Sequence, residues 1–268
     1  MVLNMNYWKQ SPNYIYVAAH RGDSARYPEN TMESFRAAVE EGVDQIELDV
    51  RMTKDGEAVI VHDDTVDRTS NGSGKVIDLT LAELRELDFG SKKDPRFAGA
   101  KAPTFREFMD YIKDHPTMTV DVELKEYPTA GREKLAFDFC DRILQMIDEY
   151  GFTDRVVINS FSGKLNEYVR EKYGNKYRQH VFFPKKCLGE CTVDPYSYAY
   201  CCCMFGSPNM ASKEDFDMMI SRGVQPWVGA AVKNAETVDE AIACGAYLIT
   251  CNNPDEILAL LRERGYHN

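Results

Sequence analysis

The sequence predicts an α/β chain folded as a TIM-like (β/α)8 barrel, with a small insertion after a hairpin on the second strand. Three observations lead there. Short β-like runs alternate with helix-like runs along all 268 residues, and no repeat, low-complexity stretch or Gly/Ser/Pro-rich linker divides them. Eight such runs interleaved with helices suit a closed parallel barrel, which commonly uses about 250 residues in one piece. Two of the runs also carry acids at alternate positions, so carboxylates collect on one face and aliphatic residues on the other. The order of elements alone also admits a doubly wound open sheet.

The strands are expected at residues 14–20, 44–53, 119–125, 155–159, 179–183, 198–204, 225–232 and 246–250. Helical patterns lie between most of them, at 32–41, 104–113, 132–150, 163–173, 213–222, 235–244 and 255–264. Asn30 followed by Glu33 resembles a capping box at the start of the first helix, and Gly42 stands where a helix C-terminus favours glycine. Lys54-Asp55-Gly56 is a turn signal between two β runs, so Glu57 to His62 is expected to return antiparallel to Glu47 to Thr53. The stretch 63–101 is too long for an ordinary connection. It holds Asn71-Gly72-Ser73-Gly74 and a short helical pattern at 81–87, and reads as an insertion over one barrel mouth.

Hydrophobic residues make up 44% of the chain and charged residues 28%, enough for a sizeable core within one domain. Forty-three acidic residues against 32 basic ones give a net charge of -11, and no basic stripe offers itself to nucleic acid. Such a field repels phosphates at long range, so a phosphate ligand would need local cations. No apolar run approaches the roughly 18 residues of a membrane span, and Tyr14 to Ala19 is too short for a signal-peptide core. A cytoplasmic protein without stable membrane insertion is the simplest expectation. Five of the eight cysteines fall between Cys187 and Cys203, but their spacing is not that of paired C-x-x-C zinc ligands. Buried reduced thiols are expected.

In Gln45-Ile-Glu-Leu-Asp-Val50, Glu47 and Asp49 share a face; in Val120-Asp-Val-Glu-Leu-Lys125, Asp121, Glu123 and Lys125 do. Four carboxylates facing a barrel axis need a cation or must protonate, and Lys125 alone cannot neutralise them. Oxygen-only ligands favour a hard ion, Mg²⁺ or Ca²⁺, over Zn²⁺. His20 ends an apolar strand, and the hairpin register sets His62 roughly beside Leu48, level with Glu47 and Asp49. His115 and His267 read as surface residues, and His180 stays unassigned.

Ala19-His20-Arg21-Gly22, Pro28-Glu29-Asn30-Thr31, Glu47-Leu48-Asp49-Val50, Thr53-Lys54-Asp55-Gly56, His62-Asp63, Arg68-Thr69, Gly72-Ser73-Gly74, Pro103-Thr104 and Glu123-Leu124-Lys125 follow one another in the order of a known pattern. The first half of the chain thereby resembles the glycerophosphodiester phosphodiesterase family. The resemblance implies a TIM-barrel enzyme that cleaves a small glycerophosphodiester to sn-glycerol 3-phosphate and an alcohol, and it leaves the oligomeric state open. It implies one divalent cation, Mg²⁺ or Ca²⁺, on Glu47, Asp49 and Glu123. His20 and His62 match the acid–base pair, with His20 as the base, and Arg21 and Lys125 match phosphate contacts. The second half fits the family pattern less well: Val156 to Ser162 matches a family strand, but Cys251-Asn252-Asn253-Pro254 stands where a Thr-Asp-x-Pro-like motif is usual, and Trp227 lies off register. Two other readings use the same residues. One is a phospholipase D or sphingomyelinase D-like lipid phosphodiesterase, and the other a non-catalytic binder of phosphorylated ligands.

Overall fold

The computed structural model describes Tyr7, Trp8, Ser11 and residues 13–268. Its elements run β1 (Tyr16–His20), α1 (Met32–Glu41), β2 (Gln45–Met52), β3 (Ala58–Ile60), α2 (Leu81–Glu86), α3 (Phe105–Ile112), β4 (Thr119–Leu124), α4 (Glu133–Glu149) and β5 (Val156–Asn159). They continue as α5 (Gly163–Tyr173), β6 (Arg178–Phe183), β7 (Cys201–Met204), α6 (Lys213–Ser221), β8 (Gln225–Val228), α7 (Ala235–Cys244), β9 (Leu248–Cys251) and α8 (Pro254–Glu263). Eight strands are parallel neighbours in the order β1-β9-β8-β7-β6-β5-β4-β2, and the β1–β2 pairing closes them into a barrel. That closure excludes the open sheet. The short β3 adds antiparallel to β2, as the Lys54-Asp55-Gly56 turn requires.

The strand registers carry one parity around the barrel. His20 lies opposite Glu47, Glu47 opposite Asp121, Glu123 opposite Asn159, Asn159 opposite His180, and Cys203 opposite Trp227. These residues face the axis, because alternate side chains share a face. The other parity packs outward: Ile46, Leu48, Val50, Val120 and Val122 join Phe35, Phe108 and Ile143 of the helices in the main apolar core. Below the acids the barrel is plugged by Ala18, Val157, Cys201, Trp227 and Leu248. His20, Asp49 and Glu123 stand in the C-terminal half of their strands, the end at which such barrels build their sites, while Gln45, Thr119 and Gln225 begin theirs.

Between β6 and β7 the described chain makes two 3-10 turns, Lys185–Leu188 and Pro195–Ser197, in place of an α-helix. All eight cysteines are free, and six of them are buried, with Cys187 and Cys191 of this connection partly exposed. The insertion packs Val66, Val76, Leu84 and Phe89 against Val59 and Val61 of the β3 arm in a small apolar cluster of its own. It leans on the loop between β1 and α1, where Lys93 donates to the Ser24 carbonyl at 2.8 Å and Arg96 to that of Arg26 at 3.2 Å. Among the described residues, no helix is long and apolar enough to cross a membrane.

Two local expectations need correction. The N-cap of α1 is Thr31, boxed with Ser34, rather than Asn30 with Glu33. Asn30 instead takes a left-handed turn at φ 57 and sends its side chain into the barrel; asparagine tolerates that conformation better than most residues. His267 is no surface residue: its side chain is 4% exposed and docks 3.0 Å from Asp44. With Tyr14 at 2.9 Å, this contact ties the C-terminal tail to the start of β1.

Candidate active site

β1 runs straight into a turn that only particular residues can make. Arg21 and Gly22 both have positive φ, 60 and 78. A Cβ on Gly22 would lie 2.6 Å from the Ser34 backbone carbon, so α1 can approach only a glycine there. The Arg21 N–H donates to the carbonyl and to a carboxylate oxygen of Glu47, each at 3.0 Å. Its guanidinium meets Glu29 at 2.9 Å and Asp49 at 3.3 Å. Burial alone would lower the Arg21 pKa, but Asp49, Glu47 and Glu29 outweigh it and raise it.

Glu47, Asp49 and Glu123 converge, each offering an oxygen within 4.8 Å of the others. All three are buried, and so is Lys125, which lies 3.1 Å from Asp49 and pairs with Glu123. Burial pushes the Glu47 acid well above the usual carboxylate range, with Asp49 adding to it. Burial and Asp49 likewise lift Glu123 to about 7 against the pull of Lys125. Asp49 is also desolvated, yet Lys125 and Arg21 hold it down at about 2. Two carboxylates driven toward protonation mark a cluster short of positive charge. Asp49 Oδ1, despite its nearness to Lys125, makes no hydrogen bond among the described residues. An all-oxygen set with a spare buried lone pair fits a hard divalent cation. Asp121, expected to be the fourth acid of this group, turns away from it. One oxygen accepts from Asn159 at 2.8 Å and the other from His180 at 2.7 Å.

The two histidines wear different partners. His20 Nδ1 lies 2.6 Å from Asn252 Oδ1, an oxygen that also accepts from Ser24 at 3.2 Å. An amide oxygen only accepts, so the neutral ring carries its proton on Nδ1 and a lone pair on Nε2. Nε2 stands 3.9 Å from Glu47. Burial and the adjacent Arg21 push the His20 pKa down to about 4. His62 follows β3, whose pairing of Val50 with Ile60 extends to set His62 beside Leu48, as the hairpin demanded. Its Nδ1 lies 2.6 Å from the Asp63 carboxylate. Burial lowers its pKa, opposed by Asp49 and Asp63. Arg68 from the insertion holds Asp63 at 2.7 Å and clamps Glu29 at 2.7 and 2.8 Å.

These groups surround a cavity of about 320 Å³, into which His20, Arg21, Glu47, His62, Glu123 and Lys125 open. Asp49 is the one expected site residue buried behind its wall. The opposite side carries Phe161 and Phe182, stacked at 3.8 Å, then Phe205 and the small residues Gly229, Ala230 and Ala231. The partners Asn252, Asp63, Glu29, Arg68 and Asn30 were not singled out by sequence reasoning as site residues. Four of them sit inside quoted motif segments, which was the available signal; Asn252 sits in the segment noted as a departure.

Barrel and cavity together define a class: a (β/α)8 protein with an acidic, two-histidine site at the C-terminal mouth. The chain belongs to the glycerophosphoryl diester phosphodiesterase family, whose model matches residues 20–186. It is 46% identical over 150 residues to the glycerophosphodiester phosphodiesterase of Caldanaerobacter subterraneus subsp. tengcongensis, covering 54% of this chain and 58% of that protein. The chain thus matches somewhat over half the length of that curated relative. A glycerophosphoryl diester phosphodiesterase structure from Silicibacter pomeroyi superposes with a TM-score of 0.82 at 21% identity, covering 97% of each chain. A phosphodiesterase from Oleispira antarctica, solved with its product sn-glycerol-3-phosphate, gives 0.76 at 21% identity over 93% of this chain and 97% of its own. Both speak for the fold.

Proposed function

We propose that the protein is a divalent-metal-dependent glycerophosphodiester phosphodiesterase, releasing sn-glycerol 3-phosphate and an alcohol, with His20 and His62 as its acid–base pair. The observation that carries this reading is the convergence of two differently partnered histidines, the cations Arg21 and Lys125 and the acids Glu47 and Glu123 on one cavity, with Asp49 buried behind its wall. The product bound in the Oleispira antarctica structure supports the substrate class.

Glu47, Asp49 and Glu123 would hold the cation, Mg²⁺ or Ca²⁺, which when bound offsets their charge and that of the phosphate's non-bridging oxygens. Arg21 and Lys125 contact those same oxygens. His20 Nε2 takes the proton of the nucleophile: water, which gives sn-glycerol 3-phosphate directly, or a neighbouring glycerol hydroxyl, which gives a cyclic phosphate that water then opens to the same product. A neutral amide on its Nδ1 suits a base that starts uncharged. His62 gives a proton to the departing alkoxide, and the Asp63 carboxylate on its Nδ1 is the partner that an imidazolium needs. Acid–base help accounts for about 10²–10⁴-fold. Enzymes commonly lower barriers by about 8–23 kcal/mol, so charge stabilisation and positioning carry the larger share. Eight free thiols suit a reducing, cytoplasmic setting.

The test is sn-glycerol 3-phosphate release from glycerophosphocholine by chelator-stripped protein, with and without added Mg²⁺ or Ca²⁺. Ion-dependent release is expected. Product formation indifferent to both ions would remove the metal from this reading, and no product with either would remove the reaction.

A further inference from the structure

Directly across the barrel from β1, four strands away in either direction, β6 carries His180 on its inner face. This third histidine belongs neither to the acid cluster nor to the acid–base pair. It is 4% exposed, it borders the cavity, and beside it on β5 stands Asn159, 2% exposed. Asp121 holds both from behind, one oxygen to each. A carboxylate oxygen can only accept, which settles the orientation of both neighbours. Asn159 must turn its N–H toward Asp121 and therefore its carbonyl away. The His180 ring must carry a proton on Nδ1, which in the neutral ring leaves Nε2 as an acceptor. Asn159 Oδ1 and His180 Nε2 have no hydrogen-bond partner among the described residues.

The floor of the cavity thus presents two adjacent, oriented, buried polar atoms without partners among the described residues: Asn159 Oδ1, an acceptor, and His180 Nε2, an acceptor in the neutral ring. Trp227 packs against the His180 ring at 4.9 Å from below and Phe182 at 5.2 Å from the side, so the imidazole cannot swing off to find water elsewhere. Buried acceptors of this kind take O–H or N–H donors and discriminate against groups that lack them.

We propose that His180 and Asn159, oriented by Asp121, form a hydroxyl-recognition subsite that selects the part of the substrate reaching the cavity floor. The proposal rests on the phosphodiesterase reading and adds the substrate's required chemistry: a hydroxyl or primary ammonium donor at that end. Two sources carry such donors, the glycerol moiety and the leaving alcohol.

Calorimetric binding of sn-glycerol 3-phosphate against n-propyl phosphate to the metal-loaded protein isolates the glycerol hydroxyls. Steady-state KM for glycerophosphoethanolamine against glycerophosphocholine isolates the alcohol. Wild-type protein should prefer the donor-bearing member of one pair by roughly tenfold or more. His180→Phe should abolish that preference, while His180→Gln, which keeps an N–H for Asp121 and a carbonyl acceptor, should retain most of it. If H180F does not fold, Asn159→Ser serves, since it keeps a donor for Asp121 and withdraws the carbonyl acceptor. The pair that loses its preference names the source. A wild type indifferent within both pairs, or a preference that survives H180F and N159S, overturns the subsite while leaving turnover of glycerophosphocholine intact. Absence of both binding and turnover in the wild type would instead bring down the phosphodiesterase reading itself.

Discussion

His20 and His62 are one residue type at one barrel mouth, and their chemistry diverges through what touches Nδ1. Asn252 gives His20 a neutral partner and Asp63 gives His62 an anionic one. Under the proposed reaction, His20→Ala removes the base without touching an acid ligand, so turnover should fall about 10²–10⁴-fold. Cation affinity should stay near wild type. Glu47→Gln removes an oxygen donor from the triad and should lose cation binding and turnover together. Calorimetry of Mg²⁺ or Ca²⁺ beside product assays separates the two variants, and a His20→Ala protein with near-normal turnover would remove this mechanism. Gly22 is the residue-scale constraint of structural kind. Its positive φ and the nearness of Ser34 leave no room for a Cβ, so Gly22→Ala should destabilise the fold by about 1–3 kcal/mol. Thermal melts read this directly, and an unchanged midpoint would mean that the turn relaxes freely.

The ion-paired link between the loop after β1 and the insertion after β3 runs through Arg68. Arg68 reaches Glu29 of the loop and Asp63 of the insertion, and Arg21 adds a second contact to Glu29. Burial alone would raise the Glu29 acid, yet Arg68 and Arg21 hold it below the usual range. The Arg68 hydrogen bond leads in lowering Asp63, with His62 assisting. Both carboxylates are depressed in the folded state, so the unfolded chain binds more protons as pH falls. Their contribution is therefore present above the unfolded values of about 4 and is lost progressively as pH falls below them toward the depressed folded values. Arg68→Met should lower the melting midpoint at pH 7 and flatten its fall from about pH 5 downward through that range. Equal midpoints at pH 7 with parallel curves across that range would show that the clamp adds no stability.

For the molecule as a whole, the barrel carries an electrostatic liability at its mouth. Three buried acids and a net charge of -11 oppose compactness there, with Lys125 and Arg21 as the local relief. An ion that binds the folded triad and not the unfolded chain must stabilise the fold. At 100 times its dissociation constant the gain is about 2.7 kcal/mol. For a chain of this size each kcal/mol moves the midpoint by about 2–4 °C. Adding Mg²⁺ or Ca²⁺ to stripped protein should therefore raise the midpoint by several degrees, and Glu123→Gln should blunt the rise. A midpoint indifferent to both ions would argue against the triad as a cation site.

What the sequence determined by itself was local and periodic. The two-residue period of β strands set Glu47, Asp49 and Glu123 on one face, and the Lys54-Asp55-Gly56 turn aligned His62 with Leu48. The alternation of strands and helices yielded eight barrel strands and seven of the helices in order, because each element's apolar stripe is written in its own few residues. What the tertiary structure decided was the choice of partners. Asp121 shares its face with Glu123, yet barrel closure brings His180 and Asn159 to it and withdraws it from the acid cluster. Asn252 reaches His20 from 232 positions along the chain. His267 finds Asp44 because the tail after α8 returns to the start of β1. Side-chain pairing across a closed barrel depends on the registers of all its strands at once, and no single stretch of the chain contains that information.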